Sequence, residues 1–313
     1  MPHDGAIRID RQAWRAAFGP RVRFDEPLSR HTSFRIGGPA DVWIEMSAPE
    51  DVRQIRTLAS AAGLAVFVLG GGTNILVSDR GVRGVVVHLG RPFARTEWRA
   101  NGAGCHVRAG AATPFKRVVT EAIARDLTGL EFAEGIPGTV GGGLLMNAGA
   151  FGGEMAQAIE YIDGVDADGV VRRLTRGELR FGYRRFDLPT GLLVTHVAFL
   201  LQPGDPARII AHRDEFKRRR EARQPAGFPN AGSVFKNPPG EFAGRLIEAA
   251  GLKGRRRGGA MISEQHANFI VNLGDATAAD VRALMDEAAT AVWSLRGLRL
   301  EPEIKLVGDW GDA

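Results

Sequence analysis

The chain holds a single cysteine, Cys105, among its 313 residues. One thiol excludes a disulfide framework and any cysteine-rich zinc site. The 7 histidines are scattered without ligand-like spacing, so no metal is expected. Long apolar runs are missing too, and nothing approaches the roughly 20 residues that cross a bilayer. The amino terminus, MPHDGAIRIDRQAWRAAF, lacks the apolar core of a secretory signal. The expectation is a cytoplasmic protein with no membrane insertion. Charge of one sign is not in great excess, since 41 Lys+Arg against 36 Asp+Glu leave a net +5. That balance suits a small anionic ligand and does not demand nucleic acid. With 44% hydrophobic and 25% charged residues the chain is not disordered. Its length implies about two domains, with a core large enough to need no covalent staples.

What is abundant is glycine, 41 residues of it, and the glycines cluster. Between the clusters, Asp10 opens a short helix over 10–18 that places Trp14 and Phe18 on one face. Ser47-Ala-Pro-Glu50 reads as a capping box before a helix that stops at Gly63. Strands are expected at Leu64–Leu69 and around Val85-Val86-Val87, and a helix after Thr113-Pro114. Asp168-Gly169 reads as a hairpin turn. Strands and helices thus alternate over residues 30–200. The composition shifts at Pro203-Gly204-Asp205-Pro206, a linker. Beyond it the pattern is mixed α+β: a basic helix over 207–223, a helix near Phe242–Ala250, a strand at Asn268–Asn272, and a long helix opened by Thr277 and ended by Gly297.

Two glycine motifs carry chemistry. In VLGGGTNILVSD (68–79) a strand delivers Gly70, Gly71 and Gly72, followed by Thr73 and Asn74. Successive residues without side chains let backbone N–H groups approach an anion such as a pyrophosphate. A plain glycine turn between strands is the equal alternative. The run is neither a dinucleotide fingerprint opening a helix nor a phosphate loop with Gly-Lys-Ser/Thr. In GLEFAEGIPGTVGGGLLMNAGAFGGE (129–154), Pro137 fixes a turn and Asn147 offers a donor and an acceptor. Close approach to a flat, bulky ligand explains that spelling better than a tight loop-rich core. Together the motifs favour a nucleotide-like cofactor with a ring system.

The segments HTSFRIGGPAD (31–41), LGGGTNILVSD (69–79), GIPGTVGGGLLMNAGAFGGE (135–154), FGYRRF (181–186), AGSVFKNP (231–238), LIEAAGLKG (246–254), GGAMISEQHANFIVN (258–272) and LEPEIKLVG (300–308) occur in this order. The chain closely resembles the UDP-N-acetylenolpyruvoylglucosamine reductase (UDP-N-acetylmuramate dehydrogenase) family, from about residue 20 to the end. The resemblance implies an α+β protein: a two-lobed FAD-binding domain of the vanillyl-alcohol oxidase type plus a C-terminal α+β substrate-binding domain. The boundaries expected are an N-terminal helix and lead-in (1–29), the FAD domain (30–203, lobes 30–95 and 96–203), the substrate domain (204–302) and a C-terminal segment (303–313). It further implies non-covalent FAD, NADPH as reductant and a UDP-sugar substrate, UDP-N-acetylglucosamine enolpyruvate, reduced to UDP-N-acetylmuramate for peptidoglycan. The partner set is small molecules alone, with a monomer or weak oligomer.

Reducing an enolpyruvyl ether builds negative charge beside a carboxylate, which needs a cation, a second stabiliser and a proton donor. By resemblance Arg184 is the cation, its planar fork suited to a carboxylate. Ser233 is the proton donor, and Glu303 the second partner, with Glu301 its rival. Cofactor contacts are expected at Arg35, Gly70, Gly71, Gly72, Thr73, Asn74, Ile136, Pro137, Gly138, Thr139, Gly142, Asn147, Ala148 and Gly149. Tyr183, Lys236, Asn237, Gln265 and His266 are expected to line the substrate, with a capping role at the turn before Pro238 the alternative for Lys236 and Asn237. FGYRRF departs from its relatives in Arg185-Phe186, which replace a small hydroxyl residue, and Arg256 stands where an aromatic is common. The short Tyr183–Ser233 interval fits the compact branch of the family. The basic runs 217–223 and 253–259 read as a solvated helix face and a loop beside the substrate. An oxygen-using oxidase on the same fold is the rival enzyme, and a non-catalytic binding module the rival class.

Overall fold

In the computed structural model, which describes residues 9–102 and 104–311, Asp10 begins the first helix as its sequence demands. Its carboxylate accepts hydrogen bonds from the Gln12 and Ala13 N–H groups, at 3.1 and 3.0 Å, capping α1 (Arg11–Phe18). Trp14 and Phe18 lie one turn apart, are buried, and stack at 5.8 Å. The next helix, α2 (Asp51–Ala61), departs from expectation. Asp51, not Glu50, accepts from the Ser47 and Ala48 N–H groups, and Arg21 grips the same carboxylate at 2.5 Å. A carboxylate one residue later reaches the same amides, so the expected box closes on its neighbour. Gly63, at φ 64°, ends the helix.

The chain divides into two compact units. The first comprises the residues up to Asp25, Asp41–Gly71 and Gly84–Lys217. One of its sheets runs Val22–Pro27, Pro39–Met46, Val82–Leu89, Ala65–Leu69, the last two strands parallel. Val42, Ile44, Val85 and Val87 point into a core shared with α1 and α2. The other sheet is antiparallel in the order Val171–Thr175, Ile159–Val165, Leu193–Pro203, Gly104–Gly110, Thr96–Asn101. Asp166 and Gly169 close the expected hairpin between its first two strands, Gly169 at φ 82°. On this sheet lie α3 (Phe115–Ile123) and the short α4 (Val140–Leu145), with Phe115 and Phe199 fully buried between them. The basic segment forms α5 (Pro206–Arg223), whose only buried side chain is Ile209.

The second unit is assembled from Glu26–Ala40, Gly72–Arg83 and the chain from Arg218 onward. It holds α6 (Ala243–Ala249) and α7 (Ala278–Arg296) against the strands Arg256–Arg257, Ala260–Ile262 and Ile270–Asn272. Thr277 and Asp280 form a reciprocal capping box at the start of α7, and Gly297 ends it at φ 64°. A parallel pair, Ile75–Val77 with Lys305–Val307, joins the middle of the chain to its end. The glycine run straddles the division, since Gly71 closes a segment of one unit and Gly72 opens a segment of the other.

Candidate active site

The two glycine motifs explain each other. A Cβ on Gly71 would lie 2.8 Å from the Gly138 Cα, and one on Gly70 2.8 Å from the Thr139 hydroxyl. Backbone meets backbone there, so Gly70 and Gly71 are required by the contact with Gly138 and Thr139 itself. Gly138 adopts φ 103°. Downstream, the Val140, Gly141 and Gly143 N–H groups donate to the carbonyls of Thr113, Ala111 and Thr139. Beside the junction runs a narrow apolar slot of about 70 Å³, lined by Leu69, Gly70, Ala112, Gly142, Leu145 and Val194 among others. Its lining is mainly apolar, with the bare backbone of Gly70, Gly141 and Gly142 among it. Ile136 is partly buried against the second core of this unit. Arg35, in the other unit, is exposed on a turn at φ 56°, its N–H donating to the Thr32 carbonyl.

Asn147 follows α4 at φ 41° and forms its left-handed end. Its N–H donates to the Leu144 carbonyl, and that of Ala148 to Gly143, the paired bonds of a Schellman motif. The Asn147 side chain is 1% exposed. Its Nδ2 donates to the Gly182 carbonyl at 3.2 Å and its Oδ1 accepts from the Ala156 N–H at 3.1 Å. The amide expected to face a cofactor is therefore engaged inside the protein. Gly149 pairs with Glu154 in a small hairpin turned by Phe151 and Gly152, both at positive φ. Phe151 stacks flat on Phe216 of α5 at 4.6 Å.

Arg184 stands at the tip of another hairpin, Phe181–Gly182 with Arg185–Phe186, whose two loop residues are Tyr183 and Arg184. Its backbone has φ 55°, a conformation uncommon outside glycine, and its guanidinium lies over the Tyr183 ring at 5.2 Å. The departure Arg185-Phe186 is structural. Phe186 stacks across the strands on Phe181 at 4.8 Å, and Arg185 pairs with Asp187 at 2.6 Å.

In the second unit Ser233 lies on an extended segment held from both sides. It bridges Phe269, and the amide of buried Asn268 brackets Phe235 by accepting its N–H and donating to its carbonyl. Across the other edge, the Glu303 N–H donates to the Val234 carbonyl at 2.7 Å, and Phe235 bridges Pro302. Glu303 thus sits on an extended segment bonded alongside the one that carries Ser233. The Asn74 Nδ2 donates to the Glu303 carbonyl at 3.1 Å, so this end of the glycine run braces the acidic strand. The rival Glu301 is exposed and pairs with Lys236 at 3.2 Å, which occupies both groups with each other.

A cavity of about 470 Å³ gathers Ser233, Asn237, Gln265 and His266 with Arg223 and Arg245. Asn237 Oδ1 accepts from the Ala243 N–H at the start of α6. Gln265 is exposed and ties the end of α5 through the Ala222 carbonyl at 3.3 Å. Burial holds the His266 pKa below the usual histidine range, aided by Lys253 and Arg223 and opposed by a backbone hydrogen bond. Its Nδ1 accepts from the Asn268 N–H at 3.1 Å, leaving Nε2–H as the ring's donor. Arg223 and Arg245 were not read from the sequence, because one closes a basic run and the other precedes the LIEAAGL motif. The arginines of the second basic run lie elsewhere. Arg255 pairs with Glu287 at 2.7 Å, and Arg256 and Arg257 are exposed strand residues. Among the described residues no His, Cys, Asp and Glu gather into a metal-binding group, and no helix is long and apolar enough to cross a membrane.

Residues 224–307 match the UDP-N-acetylenolpyruvoylglucosamine reductase C-terminal domain, and residues 40–175 match an FAD binding domain. The chain is similar to UDP-N-acetylenolpyruvoylglucosamine reductase 2 of Symbiobacterium thermophilum, 49% identical over 93% of this chain and 92% of that one. The Rubrobacter xylanophilus reductase is 44% identical over 98% and 99% of the two chains. The crystal structure of the Thermus caldophilus reductase superposes with a TM-score of 0.78 at 39% identity, covering 92% of this chain and 99% of the other. Flavin fold, substrate-side domain and whole-length likeness converge on one conclusion: the chain belongs to the UDP-N-acetylenolpyruvoylglucosamine reductase family and is an FAD-dependent oxidoreductase.

Proposed function

We propose that the protein uses NADPH to reduce UDP-N-acetylglucosamine enolpyruvate to UDP-N-acetylmuramate, a step of peptidoglycan precursor synthesis in the cytoplasm. The observation that carries the reading is the cavity that joins Ser233 to two arginines and a half-buried histidine, with the segment of Glu303 bonded to Ser233's neighbour. Bound FAD would supply the hydride, taken from NADPH, with the apolar slot and the Gly70–Asn74 and Ile136–Gly143 turns as its seat. Arg184 would pair with the substrate carboxylate, where charge builds as the hydride adds to the β-carbon. Glu303 would stabilise the same charge without adding to it, which requires a protonated carboxyl donating a hydrogen bond. Ser233 would pass its proton to the α-carbon and regain one from solvent. Arg223 and Arg245 supply the positive field that a UDP diphosphate needs, and the neutral His266 a donor.

Anaerobic mixing separates the two halves of the reaction. Ser233→Ala should be reduced by NADPH at close to the unaltered rate, while reoxidation by the enolpyruvyl substrate slows on the order of 100-fold or more. Equal losses in both halves would reject Ser233 as proton donor. A protein that binds no flavin, or that NADPH does not bleach, would reject the assignment as a whole.

A further inference from the structure

We infer that Asn147 is a positioning residue for Arg184: its buried side chain fixes the hairpin whose tip carries the guanidinium. This inference rests on the carboxylate role proposed for Arg184. Arg184 stands in a two-residue tip beyond the last paired residues, Gly182 and Arg185, and its φ of 55° is one that a non-glycine residue leaves readily unless held. The Gly182 carbonyl, one residue before the tip, is held by the Asn147 Nδ2 at 3.2 Å. Asn147 in turn is fixed three ways: by the left-handed end of α4, by burial, and by the Ala156 N–H on its Oδ1. That second bond settles the orientation of the amide, since a peptide N–H can only donate, and it turns the NH₂ toward Gly182.

Asparagine is the residue that meets all these conditions. It tolerates the left-handed backbone, as glycine does, and it carries a donor and an acceptor on one planar group. Leucine or alanine would strain the helix end, and glycine would end the helix but leave the Gly182 carbonyl unbraced. The helix that ends the second glycine motif is thereby wired to the Tyr183–Arg184 tip. A displacement of about 1 Å at a positioned group can cost on the order of 100-fold in rate.

Asn147→Gly keeps the helix end and removes the brace. Reduction of its flavin by NADPH should stay within about twofold, reoxidation by the enolpyruvyl substrate should fall about 10- to 100-fold, and calorimetry should show about tenfold weaker binding of the lactyl product. Placed on Arg184→Lys, the same change should cost less than about threefold more, because both act through one group. Asn147→Asp should regain reoxidation rate as pH falls from about 8 to about 6, where the protonated acid again donates to Gly182. Equal losses in both half-reactions, full multiplication with Arg184→Lys, or a flat pH profile for Asn147→Asp would each overturn the positioning role. If Arg184→Lys alone leaves reoxidation unchanged, it is the carboxylate reading that falls, and the inference with it.

Discussion

Arg184 and Ser233 are carried on backbones of opposite character. Arg184 stands on a two-residue tip in left-handed conformation, with its neighbouring carbonyl held by one buried amide. Ser233 lies on an extended segment bonded along both edges, to 268–269 on one side and 301–303 on the other. A tip holds a charge on a short stretch of backbone, so it depends on the bonds that fix that stretch. A segment laced on two sides spreads its support over many ordinary bonds. Changes near Arg184 should therefore act on geometry and rate, and changes around Ser233 should act through the chemistry of individual side chains.

The sharpest way to break that contrast lies on the acidic strand. Glu303→Ala should slow flavin reoxidation by a factor on the order of 100–1,000, as loss of one charge-stabilising group does elsewhere. Glu301→Gln, two residues away and paired with Lys236 on the surface, should stay within about twofold. Similar losses in the two would show that the strand acts through its fold and not through Glu303. Next in size is Gly71→Ala, whose methyl would lie 2.8 Å from the Gly138 Cα. Overpacking of this kind costs about 1–3 kcal/mol. It should lower the melting temperature and weaken FAD retention together, read by fluorescence of released flavin. Thr277→Ala, which removes the cap of α7, should cost about 1 kcal/mol in denaturant unfolding. Its half-reactions should not change.

A further effect is expected on pH. Burial lowers the His196 pKa from 6.5 to about 4, assisted by Arg108 and opposed by Asp163 and Glu97. The folded state therefore keeps this ring neutral, while the unfolded chain takes up a proton below about 6.5. Its contribution to stability is complete above that pH and disappears as pH falls toward about 4. His196→Asn should flatten the stability curve across this window. Asp163 acts lower. Burial alone would raise its pKa, but Arg173 and Arg108 outweigh that and hold it below the ordinary value, so its share survives until the strongly acid range. A variant with an unaltered slope between pH 6.5 and 4 would remove His196 from the account.

Local signals carried most of the helices into view. Asp10, Thr277, Gly63 and Gly297 act at the ends where capping chemistry puts them, because caps depend on a few adjacent residues. The box at Ser47 shifted to Asp51 because an acid one position away satisfies the same amides. Long-range pairings were not legible. Nothing local marks Asn147 for Gly182, Asn268 for Phe235, or Asn74 for the Glu303 strand, since an asparagine reads alike whether it faces a ligand or a distant carbonyl. The glycines were recognised as sites of close approach, but their neighbour at Gly70 and Gly71 proved to be the second glycine motif. Arg223 and Arg245 reach the cavity only through the packing of α5 and α6 around Gln265 and His266.

The C-terminal unit is spliced from three stretches that the ribosome delivers far apart. Phe34, Ile36 and Leu76 are interior residues of its core. Asp79 accepts the first N–H groups of α7, from Ala278 and Ala279, and Asn272 donates to the Phe34 carbonyl. Nascent chain emerging through residue 217 consequently holds greasy segments with nowhere to dock until the remainder is translated. Long-range closure of this kind slows folding and leaves apolar surface exposed in the meantime. Excising 218–313 as a fragment for ligand screening would yield a body missing part of its own interior.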